Sequence, residues 1–160
     1  MSTNHSRSRT RKFLYQMLYA RSFWNVDSVD FRESFFSGVF DSNIDEKYLE
    51  EMYKIILEKE SFFIQVIQKF APKFQVENMD LSYVVPLFIG MWEMFFLSEE
   101  IPAKVSLNEA IEIAKVYGDD SSKKIVNGVL NKVVNEVEEL QKLAKDFDYN
   151  KEYVSFFKKV

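Results

Sequence analysis

Apolar residues recur at intervals of three and four along most of the chain, the spacing that places them on one face of an α-helix. The first stripe follows Thr10, and its members are Phe13, Leu14, Met17 and Leu18. The same spacing predicts a second helix over Ser28 to Phe40 and a longer third helix from Asp45 towards Phe70. Pro72 is expected to end the third helix, because proline lacks an amide proton and disfavours helical backbone at the preceding residue.

A fourth helix is predicted after the break at residues 71–79. Asn78 or Asp80 can cap it, and its apolar residues continue to about Leu97. Pro86 falls inside this run and is expected either to bend the helix or to force a later start.

Two further helices are predicted from cap and stop signals. Ser106 with Glu109 three residues later has the pattern of a capping box, and Gly118 is a natural stop. Residues 119–122 supply the next cap, and apolar spacing behind them predicts one helix that reaches about Lys145.

These patterns predict an all-α fold, a compact bundle of about seven helices in two packed halves. The seventh helix is a short one over residues 151–158. We expect a single domain whose halves cover about 10–75 and about 76–160, preceded by a basic flexible arm at residues 1–9.

Glycine gives one structural prediction and one exclusion. The chain has only Gly38, Gly90, Gly118 and Gly128, which are too dispersed for a phosphate-binding loop. Gly128 costs about 1 kcal/mol in a helix interior, so we expect it to mark a close helix crossing, with Asn127 hydrogen-bonding across it.

Composition excludes most catalytic chemistry. The chain has 160 residues, 47% hydrophobic, with no cysteine and one histidine, His5. Thiolate zinc sites, cysteine nucleophiles and serine–histidine triads are therefore excluded, and neither a metal nor a cofactor nor an enzyme activity is predicted. The absence of cysteine fits a cytoplasmic setting, and no apolar run reaches the roughly 20 residues of a membrane span.

Charge is distributed unevenly and points to a polyanion. The net charge is −4, but residues 1–21 carry +5 without an acidic residue, leaving −9 for the remainder. On a helical wheel the basic and aromatic side chains of this segment share the side opposite the apolar stripe: Arg11, Lys12, Tyr15, Gln16 and Tyr19. Single-stranded RNA is bound by such a combination of phosphate contacts and base stacking. Packing of the two tyrosines against a neighbouring helix explains the same pattern, and the helical wheel does not distinguish this interpretation from RNA binding.

Several stretches carry a specific resemblance. The segment IPAKVSLNEAIEIAK from Ile101 to Lys115, followed by Tyr117-Gly118 and by KIVNGVLNK from Lys124 to Lys132, resembles the signature of the NusB family. Arg7, Arg9 and Arg11 leading into Gln16-Met-Leu-Tyr19 are similar to the arginine-rich motif and first helix of that family. Trp92-Glu93-Met94 matches the end of its central helix.

The resemblance implies an all-helical transcription antitermination factor without enzyme activity. Such a factor binds boxA RNA in nascent ribosomal transcripts, together with the ribosomal protein called NusE in this role, and helps RNA polymerase resist termination. The resemblance also implies which residues contact RNA: Arg7, Arg9, Arg11, Tyr19, Ser121, Lys124 and Ile125. Glu93 is implied as a contact for the protein partner.

This sequence departs from the family pattern at several of these positions. Ser121 stands where an aspartate is common and Ile125 where an aromatic residue is common, which implies altered base recognition at that edge. Ser8 interrupts the arginine run, and Tyr83 and Phe88 replace charged residues that are usual in the central helix.

Two other classes stay open at this point. One is an orphan RNA-binding domain like that of certain ribosomal RNA cytosine methyltransferases, disfavoured because no methyltransferase domain follows Val160. The other is a helical protein-interaction module with a basic tail. The RNA hypothesis requires that the guanidinium groups of Arg7, Arg9 and Arg11 are not paired with the chain's own carboxylates.

Overall fold

The computed structural model describes residues 7–22, 44–150 and 155–157. Within these ranges it has six α-helices and no strand, which confirms the all-α class. The helices are α1 (Arg7–Arg21), α2 (Glu46–Phe70), α3 (Leu81–Phe96), α4 (Ala103–Tyr117), α5 (Asp120–Asn135) and α6 (Val137–Asp146), with a 3₁₀ turn at Val76–Asn78. The helix predicted over residues 28–40, and most of the one predicted over residues 151–158, lie outside the described residues.

Helix boundaries set by local caps agree with the prediction. The Asp45 side chain accepts a hydrogen bond from the Tyr48 amide at 3.1 Å, and Asp80 accepts one from the Ser82 amide at 2.8 Å. Helix α2 ends at Phe70, and its C-cap residue, Ala71, lies directly before Pro72. Each boundary depends on a side chain and a backbone group within three residues, so the sequence alone contains the necessary information.

Of the two alternatives left open at Pro86, the later start does not occur, since α3 begins at Leu81 and includes the proline. Every residue from Tyr83 to Phe95 is buried. This extensive burial, together with the Asp80 cap, outweighs the cost of one missing backbone hydrogen bond.

Helix α1 begins three residues earlier than predicted, so Arg7 to Arg9 are helical rather than part of a flexible arm. Thr10 was expected to start the helix, but it is fully buried and its hydroxyl accepts a hydrogen bond from the Asp45 amide at 2.8 Å. The threonine therefore joins α1 to the start of α2.

Two boundaries in the second half also differ. Helix α4 begins at Ala103 after Pro102, so the capping box at Ser106 is wrong; the Ser106 hydroxyl instead donates to the Glu93 carboxylate at 2.7 Å. The helix predicted to run to Lys145 is two helices that meet at Glu136. Apolar spacing continues across this break, so periodicity could not reveal it.

Helix α3 lies at the centre of the bundle and packs against the other five helices. A Cβ atom on Gly90 would lie 2.8 Å from Leu130 Cδ1 and 3.3 Å from Ala110 Cβ, which makes Gly90 the close crossing of α3 with α4 and α5. Gly128 has nothing within 4 Å of its Cβ position, so the crossing predicted there is wrong. Asn127 accepts a hydrogen bond from Asn131 within its own helix rather than across a crossing.

Ser155–Phe157 packs back onto the bundle. Glu60 is buried in α2 and accepts hydrogen bonds from the Ser155 hydroxyl at 2.6 Å and the Phe156 amide at 2.7 Å. Phe157 is fully buried against Phe88, with ring centroids 5.9 Å apart. None of the described helices combines the length and apolar character needed to cross a bilayer.

Candidate nucleic-acid interface

One side of α1 faces solvent and carries positive charge. Its members are Ser8, Arg9, Lys12, Gln16 and Tyr19, which we call the α1 stripe. At 3.6 residues per turn these positions lie within an arc of about 100°. Arg9 is exposed, and Tyr19 keeps 44% of its surface accessible. The α1 stripe therefore presents two cations and an aromatic ring on one accessible surface.

Arg11 is not part of this surface, which corrects the prediction that it contacts RNA. Its side chain is only 4% exposed. The guanidinium donates to both carboxylate oxygens of Glu93, at 2.6 and 3.1 Å, and to Glu109 at 3.0 Å. The charge of Arg11 is thus neutralised by the protein itself.

The same contacts correct the prediction for Glu93. Its side chain is fully buried, and it accepts hydrogen bonds from Tyr48 and Ser106 as well as from Arg11. Burial raises the pKa of the Tyr48 hydroxyl well above its usual value, and the nearby Glu93 carboxylate raises it further, so Tyr48 stays protonated and donates. Glu93 has no exposed atom for a protein partner; it connects α1, α2 and α4 to α3.

Arg7 also faces the protein. Its Nε atom lies 2.9 Å from the Asp45 carboxylate, Nη2 lies 3.7 Å from Glu100, and the guanidinium lies 4.5 Å from the centroid of the Tyr48 ring. Arg7 and Arg11 therefore both fail the requirement that the guanidinium groups be unpaired, so the RNA hypothesis does not hold in the form that relies on all three arginines. Arg9 meets it within the described residues, and Lys12 lies on the same side of the helix.

The tyrosines of α1 have different environments. Tyr15 is buried, and its ring stacks on Tyr117 with centroids 4.2 Å apart and planes 6° from parallel. Tyr19 stacks more loosely on Tyr15 at 6.1 Å and remains exposed. Packing against a neighbouring helix thus accounts for Tyr15, while Tyr19 is accessible.

The start of α5 contributes the second part of the surface. Asp119 caps this helix by accepting a hydrogen bond from the Ser122 amide at 2.9 Å. This hydrogen bond lowers the pKa of the Asp119 carboxyl group. Ser121 and Lys124 are exposed, whereas Ile125 is half-buried and packs against the core.

Contacts between α1 and the α4–α5 junction join the two parts. Besides the ring stack of Tyr15 on Tyr117, the Gln16 amide donates to the Tyr117 hydroxyl at 2.8 Å. The helical wheel already placed Lys12 on the basic and aromatic face, although the family resemblance did not imply it as an RNA contact. Tyr117 was not part of the predicted site, because no local signal relates it to a helix about 100 residues earlier. No group of three or more metal-ligating side chains occurs within the ranges that the structure covers.

Comparison with known proteins gives a consistent result. A family model described as the NusB family matches residues 8–135. The transcription antitermination protein NusB of Pectobacterium carotovorum is 32% identical over 132 residues, covering 82% of this chain and 94% of that protein. Proteins of the same name are 30% identical in Nitratidesulfovibrio vulgaris, over 83% of this chain and 90% of the relative, and 28% identical in Clostridium acetobutylicum, over 84% and 98%.

Proposed function

The chain belongs to the NusB family, and from this premise we propose that it is a transcription antitermination factor that binds boxA-type single-stranded RNA in ribosomal transcripts. It acts without catalysis in the cytoplasm, together with the NusE ribosomal protein, as part of an antitermination complex on RNA polymerase. The name of its relatives, transcription antitermination protein NusB, supports this assignment.

The observation that carries the RNA proposal is the α1 stripe. A strand of RNA offers phosphates at regular intervals and bases with flat faces, and it needs cations and accessible rings on one surface. Arg9 and Lys12 supply the cations and Tyr19 supplies a ring.

Helix α5 extends this surface with different chemistry. Lys124 offers a further phosphate contact, and the Ser121 hydroxyl can donate to or accept from a base edge. The half-buried Ile125 offers an apolar edge without a ring face, so base stacking is weaker at this position than on an aromatic side chain. Arg7 and Arg11 are left out of the proposed site because both are paired with carboxylates of the protein.

The proposed partnership with NusE is supported by the charge of the remaining chain. Residues 22–160 carry a formal charge of −9. This charge attracts a basic ribosomal protein, and it repels RNA from the surface outside the α1 stripe. Since Glu93 is buried, any contact with NusE uses other acidic residues.

The test is a titration of the purified chain with a boxA-like RNA and with a scrambled RNA of equal length, at one fixed salt concentration. Both titrations are repeated with NusE present. We expect tighter binding of the boxA-like RNA and a larger preference when NusE is added. Equal affinity for the two RNAs under both conditions would contradict the antitermination proposal, and a lack of RNA binding would favour a protein-interaction module.

A further inference from the structure

Tyr117 contacts α1 through two successive residues. Its ring lies parallel to that of Tyr15 at 4.2 Å, and its hydroxyl accepts a hydrogen bond from Gln16 at 2.8 Å. Stacking and hydrogen bonding together fix both the distance and the rotation of the Tyr117 side chain relative to α1. The last residue of α4 is thus held in one position beside the α1 stripe.

The junction that follows Tyr117 is tightly packed. A Cβ atom on Gly118 would lie 2.7 Å from the Ser122 side chain and 2.9 Å from the Ala114 carbonyl oxygen, so the chain turns here with no spare space. Asp119 caps α5 at the Ser122 amide, and the Ser122 hydroxyl lies 2.7 Å from that of Ser82 in α3. A displacement of Tyr117 is therefore transmitted to the start of α5 rather than absorbed by the junction.

We propose that Tyr117 is a positioning residue for RNA: it sets the spacing between the α1 stripe and the exposed start of α5, so that one strand contacts Arg9 and Lys124 together. This inference rests on the proposed RNA binding. It implies that the ligand is a continuous single strand long enough to reach both helices. Tyr117 acts through the two helices and contributes little contact of its own, because its ring is already stacked on Tyr15.

A double-mutant cycle between Tyr117 and Lys124 tests the proposal. Tyr117→Leu removes both the ring stack and the acceptor for Gln16, while Lys124→Gln removes the cation that Tyr117 would position. RNA affinity is measured for the original chain, both single variants and the double variant at one salt concentration, and urea unfolding checks that each variant is folded.

Neighbouring residues that act together show coupling of roughly 2- to 150-fold in an equilibrium constant. We expect Tyr117→Leu to weaken RNA binding about tenfold in the original chain, but less than about threefold once Lys124→Gln is present. Tyr117→Phe keeps the ring stack and loses only the bond from Gln16, so it should recover most of the affinity lost in Tyr117→Leu. A general loss of stability would instead weaken binding by the same factor in both backgrounds.

The possible failures are distinguishable. If Tyr117→Leu lowers affinity equally with and without Lys124→Gln, or does not lower it, the positioning role is wrong while RNA binding stands. If Tyr117→Leu does not fold, the same cycle with Tyr117→Phe decides, with an expected loss of about two- to threefold only where Lys124 is present. An original chain that binds no RNA overturns the proposed function and this inference with it.

Discussion

Arg11 shows how the environment of a single side chain decides its role. The sequence places it in the same arginine-rich run as Arg9, and their side-chain chemistry is identical. In the folded chain Arg9 is exposed, whereas Arg11 is buried between Glu93 and Glu109. The difference arises because the two positions differ by about 200° around the helix axis, so that only Arg11 meets α3 and α4.

Removing the buried arginine should destabilise the fold. Arg11→Met keeps most of the side-chain volume but leaves Glu93 as an uncompensated charge in the interior, which typically costs about 3–5 kcal/mol. Urea unfolding of Arg11→Met and of the matched variant Arg9→Met measures the difference, and Arg9→Met should stay within about 0.5 kcal/mol of the original chain. Adding Glu93→Gln to Arg11→Met should recover part of the loss. Equal stability of the two single variants would show that the Arg11–Glu93 pair is not buried in solution.

At the scale of elements, the sequence was informative where a boundary depends on neighbouring residues. Asp45 caps the helix that was predicted to start there, and Asp80 rather than its alternative Asn78 caps α3. Asp119 caps α5 within the predicted range 119–122, and Gly118 ends α4. Ser106 has an equally good capping pattern, but its hydroxyl is used by Glu93 in another helix. Such a contact between distant residues cannot be read from local spacing.

In the candidate site too, the features that depend on local spacing could be predicted, and those that depend on distant contacts could not. Helical spacing correctly grouped Lys12, Gln16 and Tyr19 on one side of α1, because a wheel needs only sequence positions. It wrongly included Arg11 and Tyr15, whose burial depends on α3 and on Tyr117. Sequence reasoning therefore found the helix that carries the surface but not the limits of that surface.

Two glycines in different helices give a matched test of the packing. Gly128→Ala on α5 should raise the free energy of unfolding by about 1 kcal/mol, because alanine favours helix and nothing lies within 4 Å of the new methyl group. Gly90→Ala on α3 gains the same helix propensity but forces a methyl group against Leu130 and Ala110, at a cost of about 1–3 kcal/mol. In thermal or urea unfolding, Gly128→Ala should therefore be more stable than the original chain and Gly90→Ala less stable. The reverse order would place the close helix crossing at Gly128.

At the scale of the whole molecule, the proposed RNA binding depends on the segregation of positive and negative charge. A chain of net charge −4 binds a polyanion only if its cations are gathered on one surface, and the first 21 residues hold five of its 21 lysines and arginines without an acid. The fold uses three of these five: Arg7 and Arg11 hold α1 against the acidic body, and Arg21 donates a hydrogen bond to the Phe157 carbonyl at 3.0 Å. Arg9 and Lys12 remain for a ligand, which makes the predicted RNA surface smaller than the arginine run suggests.

The salt dependence of RNA affinity tests most directly whether Arg9 and Lys12 of the α1 stripe bind RNA, because its slope counts phosphate contacts. Each contact on a single strand contributes about 0.7 to the slope of log affinity against log salt concentration. The double variant Arg9→Gln with Lys12→Gln should therefore bind more weakly and show a slope shallower by about 1.4. The control variant Lys142→Gln with Lys145→Gln removes the same charge from α6 and should leave the slope unchanged. A slope for Arg9→Gln with Lys12→Gln equal to that of the original chain would show that the α1 stripe does not contact RNA.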